Sequence, residues 1–240
     1  MATAGSDVWR AGLAVAGRVS LGGKTMSQYC IAGIDTGVGK TLVTAALAYR
    51  TGWPVFKPIL SGIAEPGVND ADLLARVTGQ TSVEISPWQF AAPLSPHLAA
   101  AREGKRIDPP ELEAWGQAQL EAHPQLCIEG VGGLMVPLDG QYTMFDWMRA
   151  MRLPIILVSS SYLGTINHSL LSIAQLQQHD MPLQAVIVSQ AAPERDAGLQ
   201  DTCETLRAYL PQAVPVIALP RLAPSDTPWK QAADLLNFDL

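Results

Sequence analysis

Residues 29–41 read Tyr-Cys-Ile-Ala-Gly-Ile-Asp-Thr-Gly-Val-Gly-Lys-Thr and are followed by the helix-forming run Leu-Val-Thr-Ala-Ala-Leu-Ala. An apolar strand, a glycine-rich loop, a Lys-Thr pair and a helix in this order are typical of a phosphate-binding motif. Glycines let successive backbone N–H groups surround an anion, and the helix directs its positive end at the same point. Five residues, rather than the usual four, separate Gly33 from Gly39. The motif predicts a nucleotide-phosphate site in which Lys40 reaches the outer phosphates and the Thr41 hydroxyl ligates Mg²⁺.

The composition excludes several classes of function. Of 240 residues, 48% are hydrophobic and 16% are charged, which leaves ample material for a buried core. The net charge of −6 and the absence of any Lys/Arg run argue against nucleic acid as a partner, because phosphate backbones require a basic face. No apolar run approaches the ~20 residues that span a bilayer. Cys30, Cys127 and Cys203 lack metal-ligand spacing. We therefore expect a cytoplasmic protein without a membrane partner.

The first 27 residues differ from the rest of the chain. They are rich in Ala and Gly, and they carry Arg10, Arg18 and Lys24 but only one acidic residue. This composition faintly resembles a targeting segment. The simpler interpretation is that these residues form a poorly ordered extension or that the start codon is assigned too early. Met26 would make a natural beginning. We expect residues 1–27 to be disordered and residues 28–240 to form a single domain.

Short apolar runs alternate with amphipathic stretches of helical spacing. The predicted strands are Tyr29–Ile34, Pro54–Lys57, Leu126–Glu129, Pro154–Val158, Gln184–Val188 and Val214–Leu219. The predicted helices are Lys40–Arg50, Asp70–Val77, Pro109–Ala122, Ile166–His179 and Asp196–Leu210. This alternation predicts an α/β fold with a doubly wound, mostly parallel sheet and helices on both faces. Ligands of such sheets bind at the carboxyl ends of the strands, so polar residues that follow strands are candidates for the site.

Two further strand ends carry candidate residues. The segment Trp53–Gly62 places Lys57 and Ser61 at the carboxyl edge, and a second lysine near a phosphate site suits an anionic transition state. A solvated surface lysine is the alternative for Lys57. The apolar strand that ends at Glu129 is followed by glycine-rich backbone, and a carboxylate there can hold Mg²⁺ directly or through water. A helix cap or an ion-pair partner is the alternative for Glu129.

Other polar residues carry weaker signals. Asp70 and Asp72 begin a predicted helix, where capping and the helix dipole explain acidic residues without any metal. His97 and His168 lie at loop-to-helix positions with no nearby nucleophile or ligand set, which favours structural roles. The sequence shows no Ser/His/Asp or Cys/His arrangement that would indicate covalent catalysis.

Taken together, the motifs resemble those of the dethiobiotin synthetase family. They are Gly33-Ile-Asp-Thr-Gly-Val-Gly-Lys-Thr41, Lys57-Pro-Ile-Leu-Ser-Gly62, Ser95-Pro-His97, Glu129-Gly-Val-Gly-Gly133, Phe145-Asp-Trp147 and Leu163-Gly-Thr-Ile-Asn-His168. Their order and spacing match from about residue 28 to about residue 222, and the longer phosphate loop is itself typical of that family. The resemblance therefore covers nearly the whole chain apart from the first 27 residues.

The resemblance implies an ATP-dependent ring closure in biotin biosynthesis, with Mg²⁺ as cofactor. The implied substrates are a nucleoside triphosphate, 7,8-diaminononanoate and CO₂. One amine would capture CO₂ as a carbamate, and the carbamate oxygen would attack the γ-phosphate. The second amine would then attack the mixed anhydride, closing the ureido ring and releasing phosphate.

The same resemblance implies a role for each matching residue. Lys40 and Lys57 would be catalytic, and the substrate would contact Thr36, Lys57, Ser61 and Asn167. The nucleotide would contact Gly37, Val38, Gly39, Lys40, Thr41, Glu129, Gly132, Ser189 and Gln190. The metal ligands would be Thr41, Asp70 and Glu129; Asp70 is preferred over Asp72 because it matches the family's Asp-Ala-x-x-Leu helix start. Since the family supplies the Asn167 contact from the other subunit, a homodimer with a shared substrate site is implied.

Two positions depart from the family pattern. Gly37 stands where family members often carry Glu, and Ser189-Gln190 replaces a common Asn-Asp pair whose Asn reads the adenine. Base preference is therefore open.

Two other functions are compatible with the phosphate loop. One is a different amide- or ring-forming ligase of the same group, such as a cobyrinate-type amidase, although no glutaminase Cys/His pair is visible. The other is a nucleotide-sensing or partitioning ATPase. Such ATPases often carry an extra lysine early in the loop, and this chain has no lysine between Gln28 and Lys40.

Overall fold

The computed structural model describes residues 19–21, 24–64 and 69–240. The strands are β1 (Val19–Leu21), β2 (Lys24–Gly33), β3 (Val55–Phe56), β4 (Ile59–Ser61), β5 (Trp88–Phe90), β6 (Gln125–Glu129), β7 (Ile155–Ser160), β8 (Leu183–Ser189) and β9 (Val216–Leu219). The helices are α1 (Lys40–Thr51), α2 (Asp70–Thr78), α3 (Ser82–Ile85), α4 (Pro96–Arg102), α5 (Pro109–Ala122), α6 (Met144–Met151), α7 (Thr165–Gln178), α8 (Leu199–Tyr209) and α9 (Pro228–Leu235).

The main sheet has the strand order β3-β6-β2-β7-β8-β9, and every neighbouring pair in this series is parallel. Strand β1 adds to it by pairing antiparallel with the start of β2. The chain leaves central strand β2 toward β3 and β6 on one side, and then crosses to β7 on the other. The phosphate loop therefore lies at the point where the strand order reverses, which is where ligands of such sheets bind.

Hydrophobic cores cover both faces of the sheet. Successive residues of β2 alternate between them, with Ile31 packed in one core and Ala32 in the other. Helix α1 covers the first face with Val43 and Leu47, and α6 covers the second face with Trp147. The predicted doubly wound, mostly parallel sheet with helices on both faces is confirmed.

Several short elements are not predicted by the sequence pattern. Strands β4 and β5 form a separate two-stranded parallel sheet, and helices α3, α4, α6 and α9 were not predicted. These helices have between four and eight residues, too few for an apolar period to stand out.

Strand β2 begins at Lys24, before the domain start predicted at residue 28. The rest of the disorder prediction for the first 27 residues falls mainly on residues 1–18 and 22–23, which lie outside the described residues. In the part of the chain that the structure describes, no helix is long and apolar enough to cross a bilayer.

Candidate active site

The phosphate loop leaves β2 at Gly33 and enters α1 at Lys40. Gly39 precedes the helix in the left-handed conformation (φ 95°), and no side chain caps the first turn. The first backbone N–H groups of α1 therefore have no intrahelical partner and are open to an anion. Val38 packs into the core, so only its backbone is left to face a ligand.

Lys40 lies under this loop. Its side chain is 6% exposed, and its Nζ donates to the Asp35 carbonyl oxygen at 2.9 Å. A Cβ atom at Gly33 would lie 2.8 Å from the Lys40 Nζ, so glycine leaves the space that the lysine occupies. Burial lowers the pKa of Lys40 from its ordinary value of 10.5 to about 8, against the opposing effect of Glu129. The structure thus holds a cation in position under the loop.

Lys57, Asp70, Glu129 and Thr41 form a compact cluster beside the loop. The Lys57 Nζ donates to Glu129 Oε1 at 2.8 Å and to Asp70 Oδ2, and it lies 3.5 Å from Thr41 Oγ1. The Thr41 hydroxyl donates to the same Glu129 Oε1 at 2.8 Å. Burial disfavours the charged form of Lys57, but Glu129 and Asp70 outweigh it and raise the pKa of Lys57. Burial by itself would raise the pKa of Asp70, but the Lys57 ammonium outweighs this effect and holds the pKa of Asp70 below its usual range.

Glu129 is fully buried at the end of β6, and its Oε2 is a buried atom with no hydrogen-bond partner among the described residues. A buried carboxylate oxygen without a partner is costly, so its presence indicates a place for a ligand. Two carboxylates and a hydroxyl are hard oxygen donors, the type that Mg²⁺ prefers. The described residues contain no group of three or more His, Cys, Asp or Glu suited to a metal. The cluster therefore fits an ion that takes its other ligands from nucleotide phosphates or water.

An open cavity of about 660 Å³ adjoins these groups. Among the sequence-predicted site residues, it is lined by Thr36, Gly37, Gly39, Lys40, Thr41, Lys57, Ser61, Asp70 and Gly132. Asp72 does not line it; its carboxylate accepts from Ser82, while its backbone N–H is capped by Asn69. The structure thus brings Asp70, and not Asp72, to the lysines.

Three curated relatives share most of the chain's length. ATP-dependent dethiobiotin synthetase BioD of Methylobacterium nodulans is 44% identical over 185 residues, covering 69% of this chain and 81% of that protein. The enzyme of the same name from Acidiphilium cryptum is 36% identical, covering 85% and 95%. That of Bacillus subtilis subsp. natto is 31% identical, covering 90% and 97%. The chain belongs to the ATP-dependent dethiobiotin synthetase family.

Two further comparisons are broader. A family model described as an AAA domain matches residues 27–228. Among solved structures, the MinD cell division protein of Aquifex aeolicus has a TM-score of 0.46 at 12% identity, covering 86% of this chain and 87% of that one. A likeness this distant carries no conclusion about function. Membership of the dethiobiotin synthetase family favours the ligase over the two alternative functions considered above.

Ser189 and Gln190, at the end of strand β8, are one of the two departures from the family pattern noted in the sequence. Ser189 lies against the phosphate loop, since a Cβ atom at Gly39 would be 2.9 Å from the Ser189 Oγ. The Gln190 side chain is engaged at both ends: its Nε2 donates to Asp196 at 2.8 Å, and its Oε1 accepts from the Arg221 backbone at 3.0 Å. Neither residue lines the cavity of the lysines. A base contact from Gln190 would have to use the second hydrogen of its Nε2 or the second lone pair of its Oε1.

Asn167 does not lie with the other residues predicted to contact the substrate, Thr36, Lys57 and Ser61. It is exposed in the first turn of α7 and does not line the cavity. Exposed apolar side chains surround this helix, with Leu163 at 89% and Leu171 at 63% exposure. A second cavity of about 630 Å³ lies along the same helix, lined by Met135 and His168 among others.

One wall of the first cavity was missed by sequence reasoning. It is formed by residues 93–96, which follow β5, and the Ser61 hydroxyl donates to the Leu94 carbonyl oxygen at 2.8 Å. The motif Ser95-Pro-His97 marked this region but assigned it no role. Its position depends on the β4–β5 pairing, which two three-residue strands do not reveal in sequence.

Proposed function

We propose that this chain catalyses the ATP-dependent carboxylation and ring closure of 7,8-diaminononanoate with CO₂, yielding dethiobiotin, ADP and phosphate. The observation that carries the proposal is that Lys40, Thr41, Lys57 and Asp70 line one cavity at an uncapped helix start, with the buried Glu129 behind them bonded to both Lys57 and Thr41. Phosphoryl transfer needs positioning and neutralisation of charge more than a nucleophilic side chain, and this cavity supplies both.

The nucleotide would lie along the phosphate loop. The backbone N–H groups from Gly37 to Thr41 would surround its phosphates, and the Lys40 ammonium would reach the outer ones. Thr41, Asp70 and Glu129 would hold Mg²⁺, which when bound neutralises charge on the phosphate oxygens.

The diamine would lie on the other side of the cavity, against Thr36 and Ser61. One amine nitrogen attacks the carbon of CO₂ and loses a proton, giving a carbamate. A carbamate oxygen attacks the γ-phosphorus and ADP leaves, giving a carbamic-phosphoric anhydride. The second amine attacks the anhydride carbon and loses a proton, and the ureido ring closes as phosphate leaves. The Lys57 ammonium would stabilise the negative charge on the carbamate and on the phosphoryl group in transit.

A homodimer completes the proposed site. Asn167 and the start of α7 would receive the carboxylate of a substrate bound mainly to the other subunit. Two observations support this arrangement: Asn167 lies outside its own chain's cavity, and the surrounding surface exposes Leu163, Leu171 and Met135. Exposed apolar groups of this size are suited to an interface.

The proposed location is the cytoplasm. The three cysteines are buried free thiols, which is compatible with a reducing compartment.

The test is a product assay with purified protein, Mg²⁺, ATP, ¹³C-bicarbonate and diaminononanoate. We expect dethiobiotin that carries the label in its ureido carbon, with one ADP released per ring closed. Parallel reactions with CTP and GTP measure base preference in the same experiment. ATP hydrolysis without labelled dethiobiotin would reject the proposed function.

A further inference from the structure

The Lys57 ammonium lies where a bound cation would lie. Its Nζ is 2.8 Å from Glu129 Oε1 and 3.5 Å from Thr41 Oγ1, and it also contacts Asp70 Oδ2. These three residues are the ones that the proposed function assigns to Mg²⁺. The ammonium and the divalent ion therefore compete for the same two carboxylates, and Lys57 already occupies one oxygen of each.

Two cations held by the same two carboxylates repel each other, and the repulsion is strongest beside the fully buried Glu129. Glu129 is fully buried at a strand end, and Thr41 belongs to the first turn of α1. Lys57, by contrast, has a four-carbon stem and already lines the cavity. The lysine is thus the member of the cluster that can move away.

We propose that Lys57 has two positions, and that the divalent ion drives it from one to the other. In the ligand-free protein the ammonium neutralises Asp70 and Glu129 as a placeholder. When the ion arrives with the nucleotide, it takes over these carboxylates and displaces the ammonium into the cavity. There Lys57 acts as a positioning cation for the anionic reacting group. This inference rests on the proposed function for the identity of that group, while the exchange itself concerns only the cation and the four side chains.

Lys40 provides a contrast within the same cavity. Its Nζ donates to the Asp35 carbonyl oxygen, and it makes no hydrogen bond to Asp70 or Glu129. Removal of either lysine subtracts one positive charge near the ion. Only removal of Lys57 also vacates the oxygens.

The experiment measures Mn²⁺ binding to the nucleotide-free protein by electron paramagnetic resonance, using Mn²⁺ as the probe. Lys57→Met is compared with Lys40→Met and with Lys105→Met, whose lysine forms an exposed ion pair with Glu103. We expect Lys57→Met to bind Mn²⁺ about tenfold more tightly than wild type, with a smaller gain in Lys40→Met and none in Lys105→Met. An equal gain in Lys40→Met, or no gain in Lys57→Met, would overturn the exchange.

A measurement on the wild type avoids dependence on variants that fail to fold. Crystals soaked in MnCl₂ together with a non-hydrolysable ATP analogue are expected to show an anomalous peak in contact with Glu129 and Asp70, with the Lys57 Nζ withdrawn from Glu129 Oε1. Bound nucleotide without a peak at these carboxylates would overturn the exchange. A peak on these oxygens with Lys57 still in place would overturn the inference. The labelled-dethiobiotin assay separates the two proposals: product without exchange rejects only this inference, and exchange without product rejects only the proposed function.

Discussion

The two ends of the nucleotide region differ in how their polar atoms are satisfied. At the proposed phosphate end, charged groups from α1, α2 and the segment between β3 and β4 line a cavity, and the buried Glu129 of β6 has an oxygen, Oε2, without a partner among the described residues. At the end of β8, the amide of Gln190 is engaged at both ends by Asp196 and Arg221. Since buried or half-buried polar groups need partners, the first arrangement awaits a ligand, whereas the second is complete by itself.

The difference predicts that the protein recognises the phosphates of the nucleotide more strongly than its base. In the proposed function, phosphates and a cation would be held by the groups that line the cavity and by Glu129 behind them. At the end of β8, the Gln190 side chain is already bonded to Asp196 and to the Arg221 backbone. Variants at the phosphate end should therefore have large effects on turnover and nucleotide affinity, and variants at the end of β8 should have small effects on base preference.

The largest expected effect is on turnover at the phosphate end. Lys57→Ala should keep nucleotide binding and lower kcat by about 10³-fold, because it removes a cation from an anionic transition state. It should also cost about 3 kcal/mol of unfolding free energy, since Glu129 is left buried without its ion pair. Steady-state kinetics and denaturant unfolding measure the two effects. Turnover at the wild-type rate would show that the Lys57 assignment is wrong.

Lys40→Ala should affect binding rather than the chemical step alone. Loss of a charge-assisted contact to the phosphates should weaken ATP binding by about 100-fold. Calorimetric titration with ATP and Mg²⁺ checks this, with Lys105→Ala as a surface control. Unchanged ATP affinity would remove Lys40 from the phosphate site.

The pH dependence of nucleotide binding sharpens the role of Lys40. Its pKa in the free protein is about 8 instead of 10.5, and phosphates bind the ammonium form. Affinity should be constant below that pKa and fall about tenfold per pH unit above it, because binding must then also take up a proton. Lys40→Arg should flatten the profile, since arginine stays charged. A flat wild-type profile up to pH 9.5 would contradict the lowered pKa.

The smallest expected effects lie at the end of β8. Values of kcat/KM for ATP, CTP and GTP should agree within about tenfold, because Asp196 and the Arg221 backbone hold the Gln190 amide at both ends and keep it from turning toward a particular base. Gln190→Ala should leave these ratios unchanged and lower the unfolding free energy only slightly, because water can replace Gln190 as the partner of Asp196 and of the exposed Arg221 backbone. A strong preference for ATP that disappears in Gln190→Ala would show that Gln190 recognises the base, and the contrast between the two ends would then be wrong.

Much of the fold could be predicted from the chain alone. The helix Pro109–Ala122 has the predicted bounds, and the strand before Glu129 begins one residue earlier than predicted. Long periodic stretches and continuous apolar runs show directly which residues are buried. Elements of this kind can therefore be predicted without the tertiary structure. Strand β2 extends back to Lys24 through residues of mixed polarity that carry no such signal.

The sequence by itself determined the longer strands and helices and their order, the phosphate loop and the short list of charged residues at strand ends, because each depends on neighbours along the chain. Only the tertiary structure decided how those residues meet. Lys57 and Glu129 are 72 positions apart, and only the pairing of β3 with β6 brings their side chains together. The same holds for the choice of Asp70 over Asp72 and for the engaged amide of Gln190. Side-chain contacts between distant segments depend on packing in three dimensions, which no local pattern records.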